Sequence, residues 1–353
     1  GKAVLLLLIQ VGGLGIIACT ISFFILLKKR ISIRERIVIL ETYNMDTLSG
    51  MVAMIIRILK GTVIVEAAGA LCYSLQFVPE FGFARGVWYS VFHAVSAFCN
   101  AGIDIIGDSS FIDYVGNPII NFTTMALIVV SGLGFPVWQD MMSNWRKVRK
   151  DELPGRRYFR RLRLHTKIVL VMTVLLIGVG TFNFFLLEYS NPGTFGKLPL
   201  GEKIMAAMFH SVSTRTAGFA TVPQDALREG SLFTTCILMF IGGSPGGTAG
   251  GVKTTTIAML ILTCITFIRG GEDTECFGRR IKPENIRTGF CIVIVSFVTL
   301  LVGTTLVTVF EGDVGLGRVL YETTSAVGTV GLSAGLTPSL TGASKVVIMV
   351  LMY

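Results

Sequence analysis

The sequence predicts an all-α polytopic membrane protein. Three observations carry that class. Of 353 residues, 52% are hydrophobic and 15% charged, against roughly 25% charged in ordinary soluble domains. Mean hydropathy is +0.70. The apolar residues also fall in long blocks, and a helix needs about 20 in a row to cross a bilayer. So little charge over so long a chain excludes a disordered chain, a fibre and a disulfide mini-protein, and argues against a soluble enzyme.

Six apolar segments read as complete: 3–27, 61–78, 118–142, 168–187, 231–268 and 289–310. A seventh begins near Ala343. The chain opens on Gly1 and stops at Tyr353 inside that run, so both ends look cut. No signal peptide or targeting segment is visible. The fifth block is too long for one simple crossing and carries a glycine-rich break. Three shorter stretches, 88–103, 204–219 and 318–332, cannot cross and predict re-entrant segments. In 41–60, Met51, Val52, Ile55, Ile56 and Leu59 recur at near-helical spacing beside Arg57 and Lys60. That pattern predicts an interfacial amphipathic helix.

Cysteine says little. Cys19, Cys72, Cys99, Cys236, Cys264, Cys276 and Cys291 form no CxxC pair and sit mostly in apolar runs. They read as reduced, packed thiols.

The net charge of +9 is unevenly placed. Lys28, Lys29, Arg30, Arg34 and Arg36 follow the first span, ten basic residues fall from Arg146 to Lys167, and five from Arg269 to Arg287. The opposite loops hold Glu80, Asp104, Asp108, Asp113, Glu188, Asp225, Glu229, Glu311 and Asp313. The positive-inside rule makes the basic loops cytoplasmic, so the re-entrant segments dip in from outside. Topology thus explains the basic balance, and no nucleic-acid partner is expected.

The re-entrant segments resemble one another. They read FHAVSAFCNAGID from Phe92, FHSVSTRTAGFAT from Phe209 and YETTSAVGTVGLS from Tyr321. An aromatic opens each, Ser96, Ser213 or Ser325 follows, and Gly102, Gly218 or Gly331 closes. The glycines recur at about 115 residues, each between two spans. The unit is span, re-entrant loop, span. Gly12-Gly13-Leu14-Gly15 in the first span resembles Ser131-Gly132-Leu133-Gly134 at the close of the next unit. The first span therefore reads as the end of an incomplete first unit, and four units around a pseudo-fourfold axis are expected.

A bilayer admits irregular backbone only where protein buries it or water lines it. Such loops around one axis make a central ion pore. Their tips are Asn100-Ala101-Gly102, Thr216-Ala217-Gly218 and Thr329-Val330-Gly331. The last matches the TVG core of potassium-channel filters, where carbonyls replace the hydration shell of the ion. Glycine tolerates the left-handed backbone that turns a carbonyl inward. Each preceding short helix aims its C-terminal partial negative charge at the pore, which favours a cation.

At this point the chain resembles the Trk/Ktr/HKT superfamily of potassium transporters, nearest to the bacterial Ktr-type membrane subunit. The matching stretches are QVGGLG from Gln10, 92–103, STRTAGF from Ser213, GGSPGGTAGGVKTTT from Gly242 and SAVGTVGLS from Ser325, with the basic RISIRER linker from Arg30. The resemblance covers essentially the whole chain. It implies K⁺ uptake in a bacterial plasma membrane, K⁺ held at the backbone carbonyls of Gly102, Gly218 and Gly331, and activation by Na⁺, for which no ligands stand out. It implies a homodimer embedded in membrane lipid. It also implies a cytosolic ring of RCK-type subunits, KtrA-like, that binds ATP or ADP. No covalently bound cofactor and no enzymatic chemistry are implied.

The broken span is the second informative stretch. Gly242, Gly243, Ser244, Pro245, Gly246, Gly247, Thr248, Ala249, Gly250, Gly251 and Lys253 cannot hold a regular helix, since each glycine costs about 1 kcal/mol and proline about 3. The resemblance implies a gate loop under the filter; a static kink with small packing residues is the plain alternative. Val252 before Lys253 breaks a nucleotide P-loop motif. Pro245 after Ser244, with His93 and His210 inside repeat loops, argues against a serine hydrolase.

Ionisable residues inside a membrane are functional candidates. Arg215, three before Gly218, either braces the filter, with Glu322 as partner, or reaches the outer water. Lys253 either holds the gate loop or snorkels to the interface. Glu66 reads as a local ion pair with Lys60, and the Asn121-Phe122-Thr123 sequon as coincidental.

The expected organisation is a closing span over 1–27, a basic linker and interfacial helix over 28–60, a second repeat over 61–142, a linker over 143–167, a third repeat with the broken span over 168–268, a linker over 269–288 and a fourth repeat over 289–353. The expected function is K⁺ passage through a single-glycine filter and past the gate loop. The alternative is a secondary cation carrier with a mid-membrane site between broken helices.

Overall fold

The computed structural model describes residues 1–14, 51–107, 109–150, 158–312 and 314–352. The described residues are overwhelmingly helical. α1 covers Lys2–Leu14; the rest of the first apolar block lies outside the described residues.

The next unit is α2 (Met51–Phe81), α3 (Phe83–Phe98) and α4 (Pro118–Gly132). α2 runs unbroken from Met51 through the expected 60/61 boundary. Residues 51–60 are therefore the foot of the span rather than a separate interfacial helix; 41–50 lie outside the described residues. Ile55 and Ile58 are buried there, which ties the foot into the core. α3 packs along α2, and both meet α4. Their seam is an aromatic cluster of Tyr73, Phe77, His93, Phe111 and Tyr114. Tyr73 Oη and Thr124 Oγ1 lie 2.6 Å apart, so the buried hydroxyl is satisfied.

The third apolar block is not one straight span. α4 ends at Gly132, and α5 (Phe135–Arg149) leaves at 93°. Gly134 has φ 90°, and Pro136 sits in the first turn of α5. A left-handed glycine followed by an N-terminal proline stops one helix and starts another.

The third unit is α6 (Tyr158–Arg161), α7 (Leu164–Glu188), α8 (Leu200–Ser213), α9 (Glu229–Phe240) and α10 (Thr254–Ile268). Asp140 of α5 starts α7: its Oδ2 accepts from Arg163 N at 2.8 Å and Thr166 Oγ1 at 2.7 Å. The first is an orphan backbone donor of a helix N-terminus, and the second is the hydroxyl of a first-turn residue. A two-residue hairpin follows, β1 (Glu275–Cys276) against β2 (Arg279–Arg280). Its turn residues Phe277 and Gly278 both have positive φ, as a type I′ turn requires. The fourth unit is α11 (Pro283–Glu311), α12 (Leu316–Val327) and α13 (Gly342–Leu351). α7 and α11 are each long and apolar enough to cross a bilayer. Their outward residues, such as Val174, Phe182, Val295 and Val309, are exposed as lipid contact demands.

Three carboxylates repeat one role. Each lies at the end of an opening span and holds the foot of the closing span. Glu80 accepts from Tyr114 Oη at 2.7 Å, four residues before α4. Glu188 accepts from Arg228 N at 3.0 Å and from Ser231 Oγ at the start of α9. Glu311 accepts from Thr341 N at 2.8 Å, the N-cap of α13. The sequence reading counted these acids only as outer-loop charge. No disulfide joins the cysteines of the described residues.

Candidate functional site

α3, α8 and α12 each end just before one of the repeat glycines, and each loop is built alike. Ala101 N donates to Ser96 O at 2.9 Å, Ala217 N to Ser213 O at 2.9 Å, and Val330 N to Ser325 O at 2.8 Å. The serine hydroxyl then pins the backbone at or after the glycine. Ser96 Oγ donates to Ile103 O at 2.6 Å, Ser213 Oγ to Phe219 O, and Ser325 Oγ accepts from Gly331 N at 3.2 Å.

The backbone hand alternates in all three loops. φ is positive at Asn100 (52°) and Gly102 (64°), at Thr216 (71°) and Gly218 (85°), and at Thr329 (52°) and Gly331 (91°). Ala101, Ala217 and Val330 between them are not left-handed. In a regular strand successive carbonyls face opposite ways; alternating the hand brings them to one side. A left-handed non-glycine residue is uncommon, so three at one register are a built feature.

The tips converge in a cycle. A Cβ on Gly102 would lie 2.5 Å from Ala217 O and 2.6 Å from Gly218 Cα. One on Gly218 would lie 2.5 Å from Val330 O and 3.1 Å from Gly102 Cα. One on Gly331 would meet Gly218 Cα at 3.8 Å and Ala101 O at 3.9 Å. Each glycine thus faces the carbonyl that precedes another glycine. Any side chain would fill this space, which is a physical reason for glycine here. Outside the tips, Phe111 stacks on Phe219 with centroids 4.9 Å apart, and Tyr321 Oη donates to Gln224 Oε1 at 2.8 Å. These contacts tie the three loops to one another.

The broken span lies directly against the tips. Residues 242–253 close on themselves: Gly242 N donates to Val252 O at 3.0 Å, Gly243 N to Gly250 O at 3.2 Å and Thr254 N to Gly243 O at 3.0 Å. On one flank the segment grips the α4–α5 break. Ser244 N donates to Gly132 O at 3.1 Å, and Phe135 N donates to Gly246 O at 2.9 Å. Gly247 and Gly134 pack backbone to backbone there, and Pro245 O lies over Gly134. Free backbone inside a bilayer costs several kcal/mol per group; two breaks satisfying each other remove much of that cost.

On the other flank the segment meets the left-handed residues. Asn100 Nδ2 donates to Thr248 Oγ1 at 3.0 Å, and Thr248 Oγ1 donates to Phe98 O at 3.1 Å. Thr216 Oγ1 accepts from Gly250 N at 3.2 Å. Thr329 Oγ1 packs against Gly250, which has no room for a Cβ. Asn100, Thr216 and Thr329 hold the same register in three loops, and all three touch residues 248–250. The sequence reading placed these residues in the filter but missed this contact; their shared position two before the glycine was the available signal.

The match to known proteins is now decisive. The family model for TrkH, described as a cation transport protein, matches residues 1–353. The chain belongs to the TrkH family. This TrkH-family chain is 38% identical to the potassium/sodium uptake protein NtpJ of Enterococcus hirae, over 100% of the chain and 76% of that protein. It is 36% identical to the Ktr system potassium uptake protein B of Bacillus subtilis, again over 100% of the chain and 76% of that protein. The potassium transporter TrkH of Vibrio parahaemolyticus shares its fold, with a TM-score of 0.72 at 16% identity, covering 99% of this chain and 69% of that one. The TrkH-family chain is a membrane protein, and its relatives are transporters, not enzymes.

Two expected ion pairs do not form, and Lys253 bonds within the broken segment, one of its two expected places. Glu322 does not pair with Arg215. Its carboxylate accepts from Ser333 Oγ at 2.6 Å, Ala334 N at 3.0 Å, Leu336 N at 3.3 Å and Thr337 Oγ1 at 2.7 Å, so it organises the exit of its own loop. Arg215 is buried beside its loop, and its Nε has no hydrogen-bond partner. Glu66 does not pair with Lys60. It accepts from Gln10 Nε2 of α1 at 3.0 Å and 3.3 Å, which ties the first span to the second unit. Lys253 does not snorkel away: its Nζ donates to Ala249 O at 2.7 Å, inside the broken segment. Ser244 Oγ lies 2.9 Å from Thr254 Oγ1, while His93 bonds Tyr89 O and His210 meets Thr235. No serine–histidine pair exists there for hydrolysis.

Proposed function

We propose that this chain is the K⁺-conducting subunit of a Ktr-type uptake system. Asn100-Ala101-Gly102, Thr216-Ala217-Gly218 and Thr329-Val330-Gly331 form a single-glycine selectivity filter, and 242–253 is its gate loop. The observation that carries this reading is the cycle in which each glycine faces a carbonyl of another loop. Such oxygens replace water around a cation, and helix C-termini behind them add negative potential. One carbonyl-bearing glycine per loop implies few coordinating rings, hence looser selectivity than in a potassium channel. The common serine pins support span–pore-loop–span units, and the recurrence of their glycines at about 115 residues is what suggests a pseudo-fourfold axis.

K⁺ as substrate rests on likeness to the potassium/sodium and potassium uptake proteins, the first of which names Na⁺ as a further transported ion; activation by Na⁺ is our extension. Likeness to Ktr system proteins supports a multi-component system, which we take to be a homodimer governed by a cytosolic RCK-type ring that binds ATP or ADP. A second reading is a carrier whose site lies between broken helices. It is favoured by the mutual grip of the α4–α5 and α9–α10 breaks through Ser244 N, Gly132 O, Phe135 N and Gly246 O.

The test is cation flux into liposomes holding the full-length protein with its cytosolic subunit, under K⁺ and then Na⁺ gradients. Wild type prefers K⁺, and Gly331→Ser abolishes the preference. Robust flux with unchanged preference in the variant would transfer the function to the carrier reading.

A further inference from the structure

The last turns of α5 carry one ordered stripe. Met141, Met142, Trp145, Arg146 and Arg149 recur at the three- and four-residue steps that put side chains on one face of a helix. Together with Tyr158 of α6 they line a groove of about 500 Å³, within the ~300–1,000 Å³ of small-molecule sites. Tyr158 is held in place there. Its Oη donates to Met141 O at 3.0 Å, and its ring stands edge-on to Trp145, with centroids 6.4 Å apart and planes at 88°.

The stripe is graded along the helix. Its first half is apolar and open: Met142 is 58% and Trp145 62% exposed. Its second half is cationic: Arg146 and Arg149 lie about one turn apart, and both are exposed. Neither guanidinium has an ion-pair or hydrogen-bond partner among the described residues. Residues 141–150 and 158–164 contain no acid. Asp140, just before them, is buried and taken up by Asn144 Nδ2, Arg163 N and Thr166 Oγ1. Exposed methionine and tryptophan followed by a basic turn is the pattern of a helix at the headgroup level. The basic linker beyond it puts that level on the cytoplasmic side.

We propose that this groove binds one anionic phospholipid of the cytoplasmic leaflet, its phosphate between Arg146 and Arg149 and the start of one acyl chain along Met142 and Trp145. Charge complementarity selects the lipid class. Two guanidinium groups a turn apart suit the oxygens of one phosphate, and the apolar half suits hydrocarbon. A zwitterionic lipid offers the hydrocarbon without the net charge, and free phosphate the charge without the hydrocarbon. The site is independent of the filter reading, because it rests on the groove and the two arginines. With lipid bound, α5 is held at both ends: Phe135 N donates to Gly246 O of the broken segment at its start, and the phosphate holds its last turn.

The test is lipid retention by the full-length protein, read by native mass spectrometry after purification into detergent and exposure to phosphatidylglycerol or phosphatidylcholine. Wild type retains one phosphatidylglycerol per chain in preference to phosphatidylcholine. Arg146→Gln with Arg149→Gln lowers that affinity roughly thirtyfold. Trp145→Ala, which removes the apolar wall and leaves the charges, lowers it as well. Inorganic phosphate in excess does not release the lipid. Circular dichroism checks that each variant is folded; all three side chains are exposed, so their loss leaves the fold intact. Arg279→Gln with Lys282→Gln, also exposed, is the charge-matched control. Equal loss in that control, equal retention of phosphatidylcholine, or release by inorganic phosphate would each overturn the site. So would unchanged lipid retention in the Arg146/Arg149 variant; if that variant instead lost a bound cytosolic subunit, the face would belong to a protein partner.

Discussion

Asn100 donates from Nδ2 to Thr248 Oγ1 at 3.0 Å, joining the tip of the α3 loop to the middle of the broken span. The donor itself sits at φ 52°, a left-handed backbone that favours asparagine among non-glycine residues. The same residue therefore shapes the tip of its loop and latches the broken segment against it. Thr216 and Thr329 repeat the arrangement from the other two loops.

Removing the latch loosens the gate. Thr248→Val deletes the bonds to Asn100 and Phe98 O. Each is worth about 1 kcal/mol net, so losing both raises basal flux roughly thirtyfold without the activating subunit. Asn100→Ala adds little on top of Thr248→Val if the two residues act through one bond. Liposome flux across this double-mutant cycle measures the coupling.

Lys253→Met acts in the same direction. It removes the Nζ donor from Ala249 O, so the segment opens more readily and basal flux increases. Lys253→Arg retains a donor and stays near wild type. Equal flux in Lys253→Met and wild type, at equal protein density, would show that the lysine does not restrain the loop.

The three glycines differ in tolerance. Alanine at Gly102 or Gly218 drives a methyl to 2.5 Å from a backbone oxygen, whereas at Gly331 the nearest atom is 3.8 Å away. All three also carry the left-handed penalty of about 1–2 kcal/mol. Gly331→Ala is therefore recovered as folded protein with altered ion preference. Gly102→Ala and Gly218→Ala show lower yield and little flux. Detergent-solubilised yield and flux, read together, test the order.

Much of this was legible in the chain, and the misses have physical causes. The short helices before the three repeat glycines, their serine–glycine spacing and the glycine-rich break follow from hydropathy and helix propensity, which act locally. The bend between α4 and α5 escaped because 118–142 is apolar enough on average to read as one span. The stop signal Gly134-Phe135-Pro136 was present, but hydropathy does not register it. The partners of Glu322, Glu66 and Glu188 escaped because a buried carboxylate takes whatever donors the tertiary fold brings. For Glu322 and Glu66 charge sign suggested arginine and lysine, and Glu188 counted only as loop charge; the fold supplied hydroxyls, backbone N–H groups and amides. The latch residues lie 148 positions from their partner in one loop and 34 in another, beyond any local pattern.

Glu188 is the stability anchor of the third unit. It accepts from Asn191 Nδ2 at 2.6 Å, Thr194 Oγ1 at 2.6 Å, Arg228 N at 3.0 Å and Ser231 Oγ, and is fully buried. Glu188→Ala leaves those donors unpaired and costs about 3 kcal/mol or more. Glu311→Ala, at the less buried equivalent site, changes the melting temperature far less. Thermal melting of the two variants in one detergent compares the clamps.

The most direct measurement is where a heavy K⁺ surrogate sits. Crystals of the full-length protein soaked in Tl⁺ give an anomalous signal that marks the ion. The filter account places the peak among the carbonyl oxygens of Ala101, Ala217 and Val330 and their glycines, displaced by K⁺ and not by Na⁺. A peak between the two helix breaks, among Gly132, Phe135, Ser244 and Gly246, with none at the loop tips, would contradict it and establish the carrier site instead.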